Sequence, residues 1–143
     1  MKVIGVIPAR YASTRLPGKS LINISGKPLI QWVAENASKA SKLDRLMVAT
    51  DDERIAQAAE KAGIESVMTR DDHPSGTDRI AEAVKSLEAD VIINIQGDEP
   101  LIDPNLIDKL ADAILSKEKW DMATAAAPIL NKEDLDNPSV VKV

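Results

Sequence analysis

The sequence predicts an α/β fold, with a doubly wound, mainly parallel sheet and helices on both of its faces. Short apolar runs alternate with segments of helical periodicity along the chain, which is the pattern of such folds. The runs are rich in Ile and Val, as in strands buried on both faces. Aromatic residues make up only 2% of the 143 residues, so the core must be aliphatic. The prediction is one Rossmann-like domain over residues 1–143, although the G-x-G-x-x-G fingerprint is absent.

The predicted elements follow one another in strand and helix order. Strands are expected at residues 3–7, 46–49, 65–68, 91–95 and 122–127. Helices are expected at residues 28–40, from 53 to Gly63, after Ser75, and from Pro104 to about Lys117. Capping boxes at residues 50–53 and 75–78 mark two of the helix starts. Ligands of such sheets bind at the carboxyl ends of the strands, so residues 8–20, 69–79 and 96–100 are the candidate site.

Composition excludes several classes of function. The net charge of −5 argues against non-specific nucleic-acid binding, which needs a basic surface. The chain has no cysteine and one histidine, so disulfides and His- or Cys-based zinc sites are not expected. No apolar run approaches the roughly 20 residues of a membrane span, and no signal peptide is recognisable. We therefore expect a cytoplasmic protein that binds neither nucleic acid nor membranes.

A basic loop follows the first predicted strand. Arg10, Arg15 and Lys19 lie within ten residues of each other in an otherwise acidic chain. Guanidinium and ammonium groups match the oxygens of a nucleoside triphosphate, and backbone N–H groups of a turn can add to them. A solvated basic loop is the alternative interpretation. The position at the end of a strand favours phosphate binding.

A P-loop is a rival interpretation of the same residues. Residues 13–20 differ from G-x-x-x-x-G-K-[ST] only in having Ser13 where the first glycine belongs. A P-loop runs directly into a helix that faces the phosphates. Here Gly26 and Pro28 disfavour an immediate helix, and the loop begins too far beyond Ile7. The sequence therefore disfavours a P-loop.

An acidic turn, Gln96-Gly97-Asp98-Glu99-Pro100, follows the most hydrophobic predicted strand. Mg²⁺ is usually held by one or two carboxylates together with substrate phosphates. Asp98 is the first candidate for that ligand, and Gly97 allows the backbone to approach a ligand closely. A turn or cap residue is the alternative interpretation of Asp98.

The segment 69–79 carries the histidine and two arginines. Ser75 and Asp78 are adequately explained as a helix cap, and His73 is more readily structural than catalytic. Arg70 and Arg79 are better candidates for contacts with an anionic substrate.

These segments resemble the 3-deoxy-manno-octulosonate (Kdo) cytidylyltransferases, also called CMP-Kdo synthetases. The resemblance is carried by PARYASTRLPGKSL (8–21), MTRDDHPSGTDR (68–79) and INIQGDEPLI (93–102), in order and at matching spacing. VATDD (48–52) and NPSVVKV (137–143) are lesser matches. The resemblance implies the nucleotide-diphospho-sugar transferase type of Rossmann-like fold. It also implies transfer of CMP from CTP to Kdo for lipopolysaccharide biosynthesis, with release of pyrophosphate.

The resemblance assigns roles to individual residues. Arg10, Lys19 and Asp98 would be catalytic, the two cations holding the triphosphate and Asp98 binding Mg²⁺. Arg15 would lie near the phosphates or the sugar carboxylate, and Arg79 would face that carboxylate. The remaining implied substrate contacts are Pro8, Ala9, Arg70, Asp72, Ser75, Gly76 and Gln96.

The family is considerably longer than this sequence. The resemblance implies that a second acidic metal ligand, much of the sugar pocket and most contacts of a homodimer lie beyond residue 143. Two alternatives therefore stay open. The chain could be a non-catalytic module that binds CTP, or it could belong to a cytidylyltransferase for another acidic sugar, such as a sialic acid.

Overall fold

The computed structural model describes residues 1–12, 16–116, 120–138 and 140–142. The strands are β1 (Val3–Ala9), β2 (Asn23–Ile24), β3 (Lys27–Pro28), β4 (Arg45–Thr50), β5 (Glu65–Met68) and β6 (Val91–Asn94). Four of them form a parallel sheet in the order β5-β4-β1-β6, while β2 and β3 form a separate antiparallel pair. The chain passes from β1 to β4 and β5 on one side and then crosses to β6 on the other. A crevice that can hold a ligand is expected at this reversal, at the carboxyl end of β1.

The helices are α1 (Leu29–Ala37), α2 (Glu53–Lys61), α3 (Gly76–Val84), α4 (Pro104–Leu115) and α5 (Lys132–Asp136). The first four agree with the predicted helices, and α5 had no predicted counterpart. Ser75 caps α3 by accepting a hydrogen bond from the Asp78 N–H, as its capping box predicted. The predicted cap at Thr50 is wrong. Thr50 ends β4 with its side chain buried, and Asp52 caps α2 instead.

The core lies in two layers because successive side chains of a strand point to opposite faces of the sheet. Val3 and Ile7 of β1 face the larger layer, which is completed by α1, α2 and α4. Ile4 and Val6 face the smaller layer, where α3 is the covering helix. The prediction of a mainly parallel sheet with helices on both faces is therefore confirmed.

The chain after the basic loop has no P-loop geometry. Lys19–Leu21 forms a single 3-10 turn, and the β2–β3 hairpin follows it. Ser25 and Gly26 at the hairpin turn both have positive φ, of 50° and 98°, as a tight two-residue hairpin turn requires. The Trp32 indole N–H donates to the Ile24 carbonyl at 2.7 Å and fastens this hairpin to α1. The expectation that the basic loop does not run directly into an α-helix is confirmed.

The predicted strand at residues 122–127 is wrong. Residues 121–130 are exposed and form no strand. The segment contains Ala123 and the run Ala125–Ala127, and alanine has low β-propensity. It also lacks a hydrogen-bonded partner strand within the sheet. In the described ranges, no helix combines the length and apolar character needed to cross a lipid bilayer.

Candidate functional site at the carboxyl edge of the sheet

The loops that follow β1 and β6 enclose an open hollow of about 660 Å³. Its lining consists of residues from the end of β1, the basic loop and the acidic turn: Pro8, Ala9, Arg10, Leu16, Lys19, Ser20, Gln96, Gly97 and Asp98. Arg10 and Lys19 outnumber the single carboxylate of Asp98 in this lining. The hollow is therefore locally cationic in an acidic chain, which suits an anionic ligand.

Lys19 and Asp98 meet across this hollow. The Lys19 Nζ lies 2.7 Å from Oδ2 of Asp98, although 79 positions separate the two residues. The side chains are 43% and 52% exposed. An exposed ion pair contributes only about 0–1 kcal/mol, so a ligand can separate the two groups at little cost. The predicted meeting of the basic loop and the acidic turn is confirmed, and the catalytic roles of the two residues stay predictions.

The acidic turn is held in place by close backbone packing. A Cβ atom added to Gly97 would lie 2.9 Å from the carbonyl oxygen of Pro8. Only a glycine allows the turn to approach the end of β1 so closely. The Asn36 side-chain amide of α1 also donates to the Pro100 carbonyl at 2.6 Å. These two contacts fix the position from which Asp98 reaches Lys19.

The basic loop closes on itself around Tyr11, a residue that the sequence did not single out. The Gly18 N–H donates to the Tyr11 carbonyl at 2.8 Å. Gly18 has a φ of 69°, and a Cβ atom there would lie 2.9 Å from the Tyr11 ring. The Arg54 guanidinium lies over the Tyr11 ring, 3.7 Å from the ring centroid. Hydrogen bonds from the same guanidinium lower the pKa of the Asp52 carboxyl below its usual value.

The segment 69–79 lies beside the hollow rather than in its lining. A Cβ atom added to Gly76 would lie 3.2 Å from the Pro8 ring, so this segment borders the end of β1. Arg70 and Asp72 are exposed and form an ion pair at 3.2 Å. Ser75 is the N-cap of α3. Of these predicted substrate contacts, the structure places Gly76 next to Pro8, while Arg15 lies outside the described residues.

Arg79, which the resemblance placed against the sugar carboxylate, is buried in this structure. It is only 2% exposed, and its Nη2 lies 3.0 Å from Oδ2 of Asp51. Its Nη1 donates to the Thr69 hydroxyl and, at 3.1 Å, to the Arg70 carbonyl. A contact between Arg79 and a sugar carboxylate stays a prediction, but the guanidinium is already engaged by protein groups. Asp51 directly follows β4, and the rule that sites lie after strands could have identified it.

His73 has a structural environment. Its side chain is 6% exposed, and Nε2 contacts Oε2 of Glu82 in α3. The hydrogen bond with His73 lowers the pKa of the Glu82 carboxyl below its usual value. The contact ties the middle of segment 69–79 to α3, in agreement with the structural interpretation of His73.

The described residues provide one carboxylate for a metal ion in the hollow. Across those ranges, no group of three or more His, Cys, Asp or Glu side chains could hold a metal. A protein cage is not needed for Mg²⁺, which keeps several waters and is commonly bound by one or two carboxylates plus substrate phosphates. Asp98 fits that requirement because it lines the cationic hollow where phosphates would lie.

The parallel sheet, the reversal at β1 and the cationic hollow define an α/β domain with a site suited to an anionic ligand at the carboxyl ends of its strands. The comparisons with known proteins narrow this class. The chain matches the family described as cytidylyltransferase over residues 4–143, and it belongs to that family.

Its relatives include 3-deoxy-manno-octulosonate cytidylyltransferases. The Bdellovibrio bacteriovorus protein is 52% identical over 143 residues, covering 100% of this chain and 58% of the relative. The Pseudomonas fluorescens protein is 55% identical over 141 residues, covering 96% of this chain and 55% of the relative. A solved CMP:2-keto-3-deoxy-manno-octonic acid synthetase complexed with CTP superposes with a TM-score of 0.77 at 49% identity, covering 80% of this chain and 48% of that one. The chain thus spans about half the length of these relatives, with coverages from 48% to 58%.

Proposed function

We propose that the chain is the nucleotide-binding part of an enzyme that transfers CMP from CTP to 3-deoxy-manno-octulosonate. The ion pair of Lys19 and Asp98 across the hollow is the observation that carries this proposal, since it brings together a cation suited to phosphate and a carboxylate suited to a metal ion. The names of relatives at about 50% identity support the choice of CTP and Kdo. Because the chain covers 58% of one such relative and 55% of another, the activity is proposed for the whole protein.

In the proposed reaction, the anomeric hydroxyl of Kdo attacks the α-phosphorus of CTP. A new O–P bond forms, the P–O bond to the β-phosphate breaks, the hydroxyl proton passes to solvent, and pyrophosphate leaves. Catalysis of this kind consists mainly of positioning and charge stabilisation. Arg10 and Lys19 bind the triphosphate, with Lys19 turning from Asp98 to the phosphate oxygens. Gln96 contacts the ribose, and Pro8 and Ala9 border the nucleotide at the end of β1.

Mg²⁺ is part of the proposal, with Asp98 as its ligand in this chain. When bound, the metal would neutralise charge on the phosphate oxygens. Separation of Asp98 from Lys19 would aid the binding of both ligands. The exposed ion pair is weak, and Lys19 would gain a stronger interaction with phosphate while Asp98 would gain one with Mg²⁺. Segment 69–76 is proposed to frame the cytosine through Arg70, Asp72, Ser75 and Gly76. A homodimer of the whole protein and a cytoplasmic location complete the proposal.

Calorimetric titration of the chain with CTP, with and without Mg²⁺, tests nucleotide binding. We expect binding that requires Mg²⁺ and that weakens about ten- to hundredfold in Lys19→Ala, since a charge-assisted hydrogen bond is lost. Lys42→Ala is the matched control. Lys42 forms an ion pair of similar exposure with Asp112, away from the hollow, at 2.9 Å. Equal affinities of the two variants for CTP would refute the role of Lys19.

Pyrophosphate release tests the chemical step. We expect release by the whole protein only when CTP, Mg²⁺ and Kdo are all present, and loss of that activity in Asp98→Ala. CTP binding without pyrophosphate release under any condition would support the alternative of a non-catalytic module. Release with sialic acid but not with Kdo would support a different acidic sugar as the acceptor.

A further inference from the structure

We propose that Asp51 and Arg79 are positioning residues that fix segment 69–76 relative to the basic loop. They would thereby allow one nucleotide to contact both regions, its phosphates near Lys19 and its base near segment 69–76. This inference rests on the proposed function, because it assumes a nucleotide that spans the two regions.

Arg79 is a buried charge whose position needs an explanation. The side chains of Arg79 and Asp51 are 3% and 9% exposed. Four polar or charged residues are buried in the described ranges. Arg79 is the charged one, and the others are Ser20, Thr50 and Thr69. A buried ion pair is weak evidence for stability, because well-packed apolar side chains often serve equally well. Such pairs can instead specify one arrangement of the surrounding chain, and that role fits the place where this pair lies.

The pair joins the carboxyl ends of three strands. Asp51 follows β4, and its Oδ1 also accepts a long hydrogen bond of 3.4 Å from the Tyr11 N–H in the loop after β1. Arg79 reaches the residues after β5, where it contacts the Thr69 hydroxyl and the Arg70 carbonyl. The planar guanidinium presents several N–H groups at fixed angles and can therefore hold these partners together. A lysine ammonium can keep the ion pair with Asp51 but does not reproduce that fixed fork.

The experiment compares two ligands that differ in reach. CTP with Mg²⁺ would contact both regions, whereas inorganic tripolyphosphate with Mg²⁺ would contact only the phosphate region. In Arg79→Lys we expect the affinity for CTP to fall about tenfold, as for the loss of one hydrogen bond to a charged group. The affinity for tripolyphosphate should stay within about twofold of the unaltered chain, because the pair of Lys19 and Asp98 is untouched.

A second variant covers the case in which Arg79→Lys does not fold. Thr69→Val removes one acceptor of the guanidinium and leaves the pair of Asp51 and Arg79 intact. It should lower the affinity for CTP relative to tripolyphosphate in the same direction. Arg45→Lys is the matched control, because Arg45 donates two hydrogen bonds to Glu65 at the opposite ends of β4 and β5. Both affinities should be unchanged in this control.

The outcomes separate this inference from the proposed function. A selective loss of CTP affinity in Arg79→Lys and Thr69→Val, with the control unchanged, supports the positioning role. Equal weakening of both ligands, or no weakening of either, would overturn that role and leave the proposed function standing. Failure of the unaltered chain to bind CTP would overturn both together.

Discussion

Replacing Gly97 with alanine is expected to displace the acidic turn without altering any charge. The added Cβ would lie 2.9 Å from the Pro8 carbonyl oxygen, a backbone atom that cannot rotate away. The positive-φ glycines are Gly18, Gly26 and Gly63, so the substitution at Gly97 adds no φ strain and tests space alone. Overpacking of this kind costs about 1–3 kcal/mol. In a domain of this size, the melting temperature should therefore fall by about 2–12 °C.

Thermal unfolding and CTP titration measure the two consequences of Gly97→Ala. We expect weaker Mg²⁺-dependent CTP binding, because the turn that carries Asp98 must move away from β1. Gly76→Ala is the matched control for thermal unfolding alone, since its Cβ would meet the flexible Pro8 ring at 3.2 Å rather than a backbone atom. The control should lose less than about 1 kcal/mol, within the range of a well-tolerated change. A Gly97→Ala protein with unchanged melting temperature and CTP affinity would refute the packing argument.

Three further predictions concern stability. Ile7→Val in the larger core layer should cost about 0.5–1.5 kcal/mol in urea unfolding, because Ile7 is fully buried; no loss would contradict that burial. Ser75→Ala should cost about 1 kcal/mol through loss of the α3 cap, and a cost below about 0.3 kcal/mol would mean that the cap is unimportant. The pKa of Glu82 is lower in the folded state than in the unfolded state. Its contribution to the free energy of unfolding is therefore present above the unfolded pKa and is lost as pH falls through the folded pKa. The melting-temperature difference between the unaltered chain and Glu82→Gln should therefore shrink on acidification from pH 7 to about pH 3, and a difference independent of pH would contradict the linkage.

Much of the fold could be predicted because several strands are continuous apolar runs bounded by turn and helix-capping residues. The runs at Val3–Ile7 and Val91–Ile95 needed only their composition, and Gly63 ended α2 through its positive φ. The prediction of a strand at residues 122–127 was wrong because the apolar residues there are mainly alanines, whose pattern does not distinguish a strand from an exposed coil. The cap of α2 was misplaced by two residues because Thr50 and Asp52 both suit a cap, and only the end of β4 decides between them.

The candidate site was predictable where it depends on strand ends alone. Lys19 and Asp98 follow strands that the sequence identified, and parallel strands bring such loops to one edge. Asp51 was overlooked because its partner is a single guanidinium of α3, and sequence alone does not reveal which side chain a buried carboxylate meets. The burial of Arg79 could not be predicted, because an arginine in a polar segment gives no sign of its burial.

The unequal covering of the sheet has a consequence for how the protein moves. Among the described residues, one helix, α3, covers the smaller layer, so transient detachment of that helix breaks fewer apolar contacts than detachment of the opposite layer would. The same helix begins at Gly76 beside Pro8 and carries Arg79, so its opening fluctuations would extend directly to the rim of the hollow. Any ligand that rests on that rim must therefore slow amide exchange in α3 more than in the helices of the thicker layer.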